Sequence, residues 1–513
     1  MRRIILLVVL LTGLLLNSVC LAAPAQIAVA IELDKLAVQL RGQSDYQVLD
    51  MNNNLIYESK GKQNAFLNIK DGVLYINNEK LPSRVRLVPA TDNFIEINRR
   101  AYRGSFSVNK THENTIQIVN IVPLEDYVTS VLSKEIELGF DEQVLKAQAV
   151  AIRSQAYFLM EAGSGAYDIV ANDVERGGLI YLGKDAESKE ALQATRSTAG
   201  EIMIYDNKPV FALWHVSSGG YTEYGREFFN SELPYLQMVK DLDDKSKFYS
   251  WKYDFAPADL DAAFERAGYK LGKIQLLKLS KLPKTRPATS PPADRSAAGR
   301  LKEVTIVGEQ GQVIVLPASK LVSILALNSN LFDVAIGTPI PKDIIATVTD
   351  AMGNEHELNR IEVNITEREG YRLPGDDENT RRISRAHDDK VVFYGYGTGQ
   401  GFGLSQQGAQ AMASKDLQAK RDAIKAAEAK LKAAAKNKPQ TEVKPETAKP
   451  KDSAKAGEAA KAKTTDKKDV KAEVKPAPQA QPAAKKEEVK LASDYYKKIL
   501  NYYFTSVRIE KVY

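Results

Sequence analysis

Apolar positions along the chain follow three patterns in turn: one unbroken run at the start, alternating stretches to about residue 122, and helical spacing beyond. The unbroken run is Ile4–Leu16, behind the basic Met1-Arg2-Arg3 and ahead of the small residues Ala22-Ala23-Pro24-Ala25. That order is a secretory signal peptide, and residues 1–24 are assigned to it. At 13 residues the run falls short of the ~20 of a spanning helix; left uncleaved, it would act as a membrane anchor. The expected location is therefore outside the cytoplasm, in the cell envelope or beyond it.

Residues 25–122 read as strands. Ile27–Ile31, Leu36–Leu40, Val73–Ile76 and Thr115–Val122 are short apolar or alternating runs, separated by turn formers such as Asn52-Asn53-Asn54 and Asp71-Gly72. Pro123 opens a helix over Leu124–Lys134, with Leu124, Tyr127, Val128, Val131 and Leu132 on one stripe. A second helix is expected from about Asp141 to Glu161, Ala-rich, with an acidic start and Gly163 beyond its end. Phe211–Val216 reads as a strand entering Ser217-Ser218-Gly219-Gly220, and Lys284–Gly299 as a Pro/Ser-rich surface loop. Strands return at Leu301–Val307 and Val313–Leu316, and the polar Asp343–Asp389 reads as an insertion. The pattern implies an α+β fold. A β-rich part (25–122) precedes a core (123–413) with a central helical layer and an insertion near 343–389.

Residues 414–490 break this pattern. Lys415–Leu431 has helical density of Ala, Lys and Glu, and Asn437–Lys486 has almost no large apolar residue, so it cannot offset its ordering entropy and is expected to be disordered. Order is expected again over 491–513, where Tyr495–Tyr513 reads as an amphipathic helix and a strand that complete the core. Charge concentrates in the same segment. Lys415–Lys490 holds 21 Lys+Arg against 12 Asp+Glu, a surplus of +9; the whole chain is +6, so the remainder is −3. A near-neutral folded part argues against nucleic-acid binding, while the Lys surplus would draw the segment to anionic wall polymers or membrane surfaces. Cys20 is the only cysteine, and the four histidines, His112, His215, His356 and His387, show no ligand spacing, so neither a metal nor another cofactor is expected.

Four constellations could carry chemistry. Glu135 extends the apolar stripe of the first helix, three and four residues beyond Leu132 and Val131. A carboxyl there is a candidate general acid, or a helix-end charge paired with Lys134. Lys146 and Arg153 lie two turns apart on the second helix with Gln148 near them, among Ala147, Ala149 and Ala151; they could bind sugar hydroxyls and acetamido groups, or form a solvated face. Ser217-Ser218-Gly219-Gly220 could approach a ligand closely or form a tight polar turn. The glycines of Gly395–Gly403 fit no phosphate-binding motif and read as a strand with one bare face, followed by a helix starting at Ser405-Gln406-Gln407.

Together these blocks resemble the SpoIID/LytB family of cell-wall proteins. The similarity runs through Tyr102-Arg103-Gly104, Val122–Val128, Lys134-Glu135-Ile136, Val144–Arg153, Ser217–Gly220 with Thr222-Glu223, Gly299-Arg300, Gly401–Ala409 with Met412-Ala413, and Tyr496–Tyr503. The resemblance implies a lytic transglycosylase acting on peptidoglycan glycan strands, with Glu135 as the catalytic acid and Lys146 and Arg153 as further active-site positions. Gln148, Ser217, Ser218, Ser405 and Gln406 join them as candidate substrate-binding residues. Other members are described as amidase enhancers, which implies a cell-wall amidase as an alternative partner. Two departures stand out. Gln400 replaces a His usual in the glycine run, and Tyr167–Gly183 lacks the Cys and His with which some members bind zinc.

Overall fold

The computed structural model describes residues 25–90, 94–136, 139–163, 165–172, 179–229, 233–337, 346–349, 352, 355–358, 377–385, 389–415 and 494–513. The N-terminal segment 1–24, most of 343–389 and the Lys-rich 416–493 lie outside the described residues, and so do the signal peptide, solvated-helix and disorder expectations made for them. The chain divides into two units: one from Met1–Ser414 joined by Tyr495–Tyr513, the other Lys415–Asp494.

The alternating runs become two antiparallel-rich sheets. One has the order Ile169–Val170, Gln26–Lys35, Ile116–Pro123, Ser105–Lys110, Arg84–Pro89, Tyr46–Leu49, Leu55–Ser59. The other runs Arg100–Tyr102, Ile95–Ile97, Ala37–Gly42, Asn64–Lys70, Val73–Ile76, Glu79–Leu81. Period-two patterning fixes the register, since a one-residue slip would expose the buried set: Val38, Leu40, Ala65, Leu67, Leu74 and Ile76 are all buried. The turn formers act as read, with Asn53, Asp71 and Gly72 in the left-handed region.

Strand Ile116–Pro123 pairs with Gln26–Lys35 from Gln26 opposite Pro123 and delivers the chain into helix α1 (Leu124–Glu135). Pro123 caps it, where a missing N–H costs nothing. Helix α2 (Glu142–Ala162) starts at Asp141, whose side chain accepts from the Gln143 N–H, and ends at Gly163. Every residue from Gln143 to Ala156 is buried, so α2 is a central rod. Its alanines let α1, α3 (Lys189–Ser197) and strand Glu201–Tyr205 approach it.

Two further sheets, Val313–Pro317/Glu303–Gly308/Ile274–Lys278/Thr380–Arg382 and Ser250–Phe255/Lys390–Tyr396/Phe332–Gly337, enclose Phe264, Phe332 and Phe393 with helices α4 (Pro257–Arg266) and α5 (Ala318–Leu325). Residues 406–415 form helix α6. The C-terminal reading matches the structure: α7 (Tyr495–Tyr503) packs on α2, and Arg508–Lys511 pairs with Glu201–Tyr205.

Four expectations need correction. The strand foreseen over Phe211–Val216 shrinks to Trp214–His215, because the Phe211 N–H is taken by the Tyr235 hydroxyl and that of Ala212 by Val210, outside any ladder. The loop Lys284–Gly299 turns inward at Arg295, which is fully buried with its guanidinium on the Ser280, Gly299 and Phe332 carbonyls. The segment read as an insertion contributes Thr380–Arg382 to a core sheet. The glycine run is a strand only to Tyr396. Gly397, Gly399, Gly401 and Gly403 all have positive φ; at Gly397 a Cβ would stand 2.6 Å from the Ser217 carbonyl oxygen, so the run is a close-packed coil.

Candidate functional site

Glu135 ends α1, half-buried, where the apolar stripe Tyr127, Val128, Val131, Leu132 runs out. Its Oε2 accepts the indole N–H of Trp214 at 3.1 Å. Its backbone carbonyl accepts from Gln406 Nε2 at 2.7 Å, and the same amide lies 3.4 Å from Gln148 Oε1. Below it, the buried Tyr127 hydroxyl has no hydrogen-bond partner, and its ionisation is pushed far up, by burial first and then by the nearby Glu135 carboxylate. Gln148 is fully buried with Nε2 unpartnered. The second carboxylate oxygen, Oε1, has no hydrogen-bond partner among the described residues. The result is a carboxyl held at one oxygen and open at the other.

Three elements converge to make this arrangement. α1 supplies Glu135 and α2 supplies Gln148. The third is a short parallel pairing, Trp214 with Leu404 and His215 with Ser405, which sets Trp214 and Gln406 side by side.

The other candidate residues make contacts within the protein. Arg153 is wholly buried. Its Nε and Nη2 grip both oxygens of Glu125 at 2.9 and 2.6 Å, and its remaining donors reach the Glu201 and Thr195 carbonyls. The Arg153 guanidinium is thus engaged inside the protein, with each of its nitrogens on a carboxylate or carbonyl oxygen. Lys146 pairs with Glu142 at 2.7 Å. Ser405 is buried, and its Oγ accepts the Gly408 N–H at 3.2 Å, so it caps α6.

Ser217 and Ser218 are also fully buried. Ser217 donates to Asp243 Oδ2 and Ser218 to Asp241 Oδ2, each at 2.5 Å. Asp243 also accepts the Gly219 and Gly220 N–H groups at 2.8 and 3.1 Å, and Asp241 Oδ1 accepts the Tyr503 hydroxyl at 2.7 Å. Burial, then the charge of Asp241, raises the Asp243 pKa. His215 sits between the Phe402 carbonyl (3.0 Å) and Ser218 Oγ (2.8 Å), and burial pushes its pKa down to about 3. Arg300 joins this turn to the glycine coil, donating to the Ser218 carbonyl at 3.0 Å and that of Gly399 at 2.9 Å. The hydroxyls therefore fix the Ser217–Gly220 turn from within.

Glu223 follows that turn, buried, accepting from Ser296 Oγ at 2.5 Å. Burial raises its pKa to about 7. Between the unfolded value near 4.5 and about 7 the native state holds a proton that the unfolded state has lost, so stability falls as pH rises through this window. His215 acts in the opposite sense, adding stability as pH rises from about 3 to 6.5. The unfolded-state His215 is still half protonated at pH 6.5, but that contribution is common to the parent and to Glu223→Gln. Relative to Glu223→Gln, the parent should therefore lose on the order of 1 kcal/mol between about pH 6.5 and 7.5. Melting temperatures measured across that interval check this; parallel curves for the two proteins would remove Glu223 from the explanation.

Sequence reasoning missed Trp214, Asp241, Asp243 and Tyr503. Each lies far along the chain from the group it serves, and only the Trp at the head of the His-Val-Ser-Ser run was available as a local signal.

The family model SpoIID, Stage II sporulation protein, matches residues 112–205. Stage II sporulation protein D of Bacillus subtilis (strain 168) is 33% identical over 172 residues, 30% of this chain and 48% of that protein. The protein of the same name from Bacillus amyloliquefaciens is 34% identical over 140 residues, 25% of this chain and 41% of that one. The amidase enhancer of Bacillus subtilis (strain 168) is 26% identical over 200 residues, 38% of this chain and 27% of that protein. The chain thus spans less than half the length of these curated relatives. Glu135, Lys146, Gln148 and Arg153 all fall inside the segment similar to the SpoIID family, residues 112–205, and Glu135 ends the first helix in it.

Proposed function

We propose that the protein is an exported peptidoglycan lytic transglycosylase that cleaves glycan strands lacking stem peptides. The family match and the amidase-enhancer relative support a cell-wall role. The observation that carries the enzymatic reading is the Glu135 carboxyl, fixed at Oε2 by the Trp214 N–H while Oε1 stays uncommitted.

In this reading protonated Glu135 gives its proton to the oxygen linking N-acetylmuramic acid to N-acetylglucosamine. The C1–O bond breaks with oxocarbenium character. The carboxylate then takes the proton from the muramic acid O6 hydroxyl as that oxygen bonds to C1, closing a 1,6-anhydro ring. The nucleophile belongs to the same sugar, so no bound water is needed. A second carboxylate, as in ordinary glycosidases, is not needed either. Gln406 and Gln148 hold the end of α1 in place beneath the bond to be cut.

The experiment is incubation of the protein with purified sacculi and with strands freed of peptides. Anhydro-muramyl products support the enzyme; retention on the wall without products supports a non-catalytic wall-binding or amidase-enhancing protein. That second reading draws on Gln400, on the amidase-enhancer relative, and on Lys146 and Arg153 being engaged with Glu142 and Glu125.

Trp214→Phe keeps the apolar surface and deletes the donor. A hydrogen bond to a charged group contributes ~1.5–3 kcal/mol, so turnover should fall roughly 10–100-fold while strand affinity stays near the parent value. Steady-state kinetics separates the two effects; an unchanged kcat would show that the indole does not position Glu135.

A further inference from the structure

Most of the buried and half-buried arginines have the guanidinium on a carboxylate or on several carbonyls, although the Nε of the fully buried Arg300 is left without a partner. Arg103 is bidentate on Glu187, Arg153 on Glu125, and Arg381 pairs with Asp333; Arg295 and Arg300 are spread over carbonyls and, for Arg300, the Asn330 amide. Arg286 is half-buried, yet its Nη1 is shielded from solvent without a hydrogen-bond partner. No carboxylate among the described residues stands within ion-pair distance of it.

Its surroundings hold the guanidinium in one place. The cation lies over the Tyr396 ring at 4.9 Å, and Tyr249 meets Tyr396 edge-on at 5.6 Å. Its stem is pressed by Gly299, where a Cβ would come within 3.1 Å of Arg286 Cδ. Beside the head is Gly220, at φ +109°, where a Cβ would sit 3.5 Å from the Tyr249 hydroxyl and 3.8 Å from Arg286 Nη2. Any side chain at Gly220 would therefore fill the space next to the guanidinium. Asp243, which holds this turn, already accepts from Ser217, Gly219 and Gly220, so its charge is engaged there.

A fixed, partly desolvated guanidinium, short of an anion and set among tyrosine rings, suits a sugar acid: its Nη2, beside the space at Gly220, offers a carboxylate a charge-assisted hydrogen bond, and the rings border an apolar sugar face. We propose that Arg286, with Tyr249, Tyr396 and Gly220, forms a subsite for a sugar carboxylate. Resting on the lytic transglycosylase reading, that carboxylate is the free lactyl group of muramic acid, which is charged only where the stem peptide has been removed. Gly220 and Trp214 are six residues apart in sequence, no more than about 22 Å even fully extended, so one strand can reach both this subsite and Glu135. The subsite would supply a reason for preferring stripped strands.

The test compares peptide-free strands with the same strands after reduction of their lactyl carboxylates to alcohols. Binding is measured in a Glu135→Gln background, and product release with intact Glu135. A charge-assisted pair predicts roughly 10–100-fold tighter binding of the carboxylate form. Arg286→Ala and Arg286→Gln should lose that discrimination, and Arg286→Lys should keep part of it. Equal binding of both strand types by the parent, or discrimination surviving in a folded Arg286→Ala or Arg286→Gln, overturns the subsite. The comparison on the parent needs no variant, so a misfolded substitution does not protect the proposal. Anhydro products without carboxylate discrimination would sink the subsite alone, and discrimination without products would sink the catalytic reading alone.

Discussion

Glu135→Gln should reduce release of anhydro-muramyl products by ~10²–10⁴-fold, the range of general acid–base catalysis, and leave folding and strand binding intact. Gln keeps the length and planarity of the side chain, and its amide oxygen can still accept the Trp214 N–H that Oε2 accepts now. It cannot deliver a proton to the glycosidic oxygen, nor recover one from O6. Turnover assays on peptide-free strands, with a pull-down on the same strands, separate the two properties. A Gln variant that works at the parent rate would remove Glu135 as the acid.

The second large effect concerns stability. Arg153→Met should destabilise the fold by about 3–5 kcal/mol, as expected when one partner of a buried pair is removed. Arg153 is fully buried, and Glu125 would be left with the Gly200 N–H and the Tyr513 hydroxyl as its donors. Because the remaining Arg153 donors tie α2 to the Glu201 and Thr195 carbonyls, α3 and the strand Glu201–Tyr205 loosen with it. Urea unfolding measures the loss. A variant of parent stability with weakened strand binding would instead return Arg153 to the role that the family resemblance implied.

Much of the fold was legible because its strands and helices are locally consistent. Leu124, Tyr127, Val128, Val131 and Leu132 announce α1 by spacing alone, and all five are buried. Asp141 and Gly163 mark the ends of α2. Tyr495–Tyr513 was readable as a helix and strand for the same reason. The failures fall where backbone conformation is set by distant groups. The glycines after Tyr396 look like a bare-faced strand, but the Ser217–Gly220 turn and Arg300 press on them and hold them at positive φ.

At the site, Glu135, Gln148 and Gln406 could be named from sequence and do come together. Arg153, Ser217, Ser218 and Ser405 could be named too, but polar residues of their types serve buried architecture as readily as a ligand. Sequence spacing could not show that Glu125, Asp241, Asp243 and the Gly408 N–H occupy them. Trp214 was unreadable because its partner is 79 positions away.

The central claim is that Glu135 promotes intramolecular attack by O6 without water. The most direct measurement is mass spectrometry of the products released from peptide-free glycan strands by the protein. The account predicts muramyl ends closed as 1,6-anhydro rings, each lighter by one water than a reducing end, and none of them from Glu135→Gln. Reducing muramyl ends that carry oxygen from labelled water would contradict it.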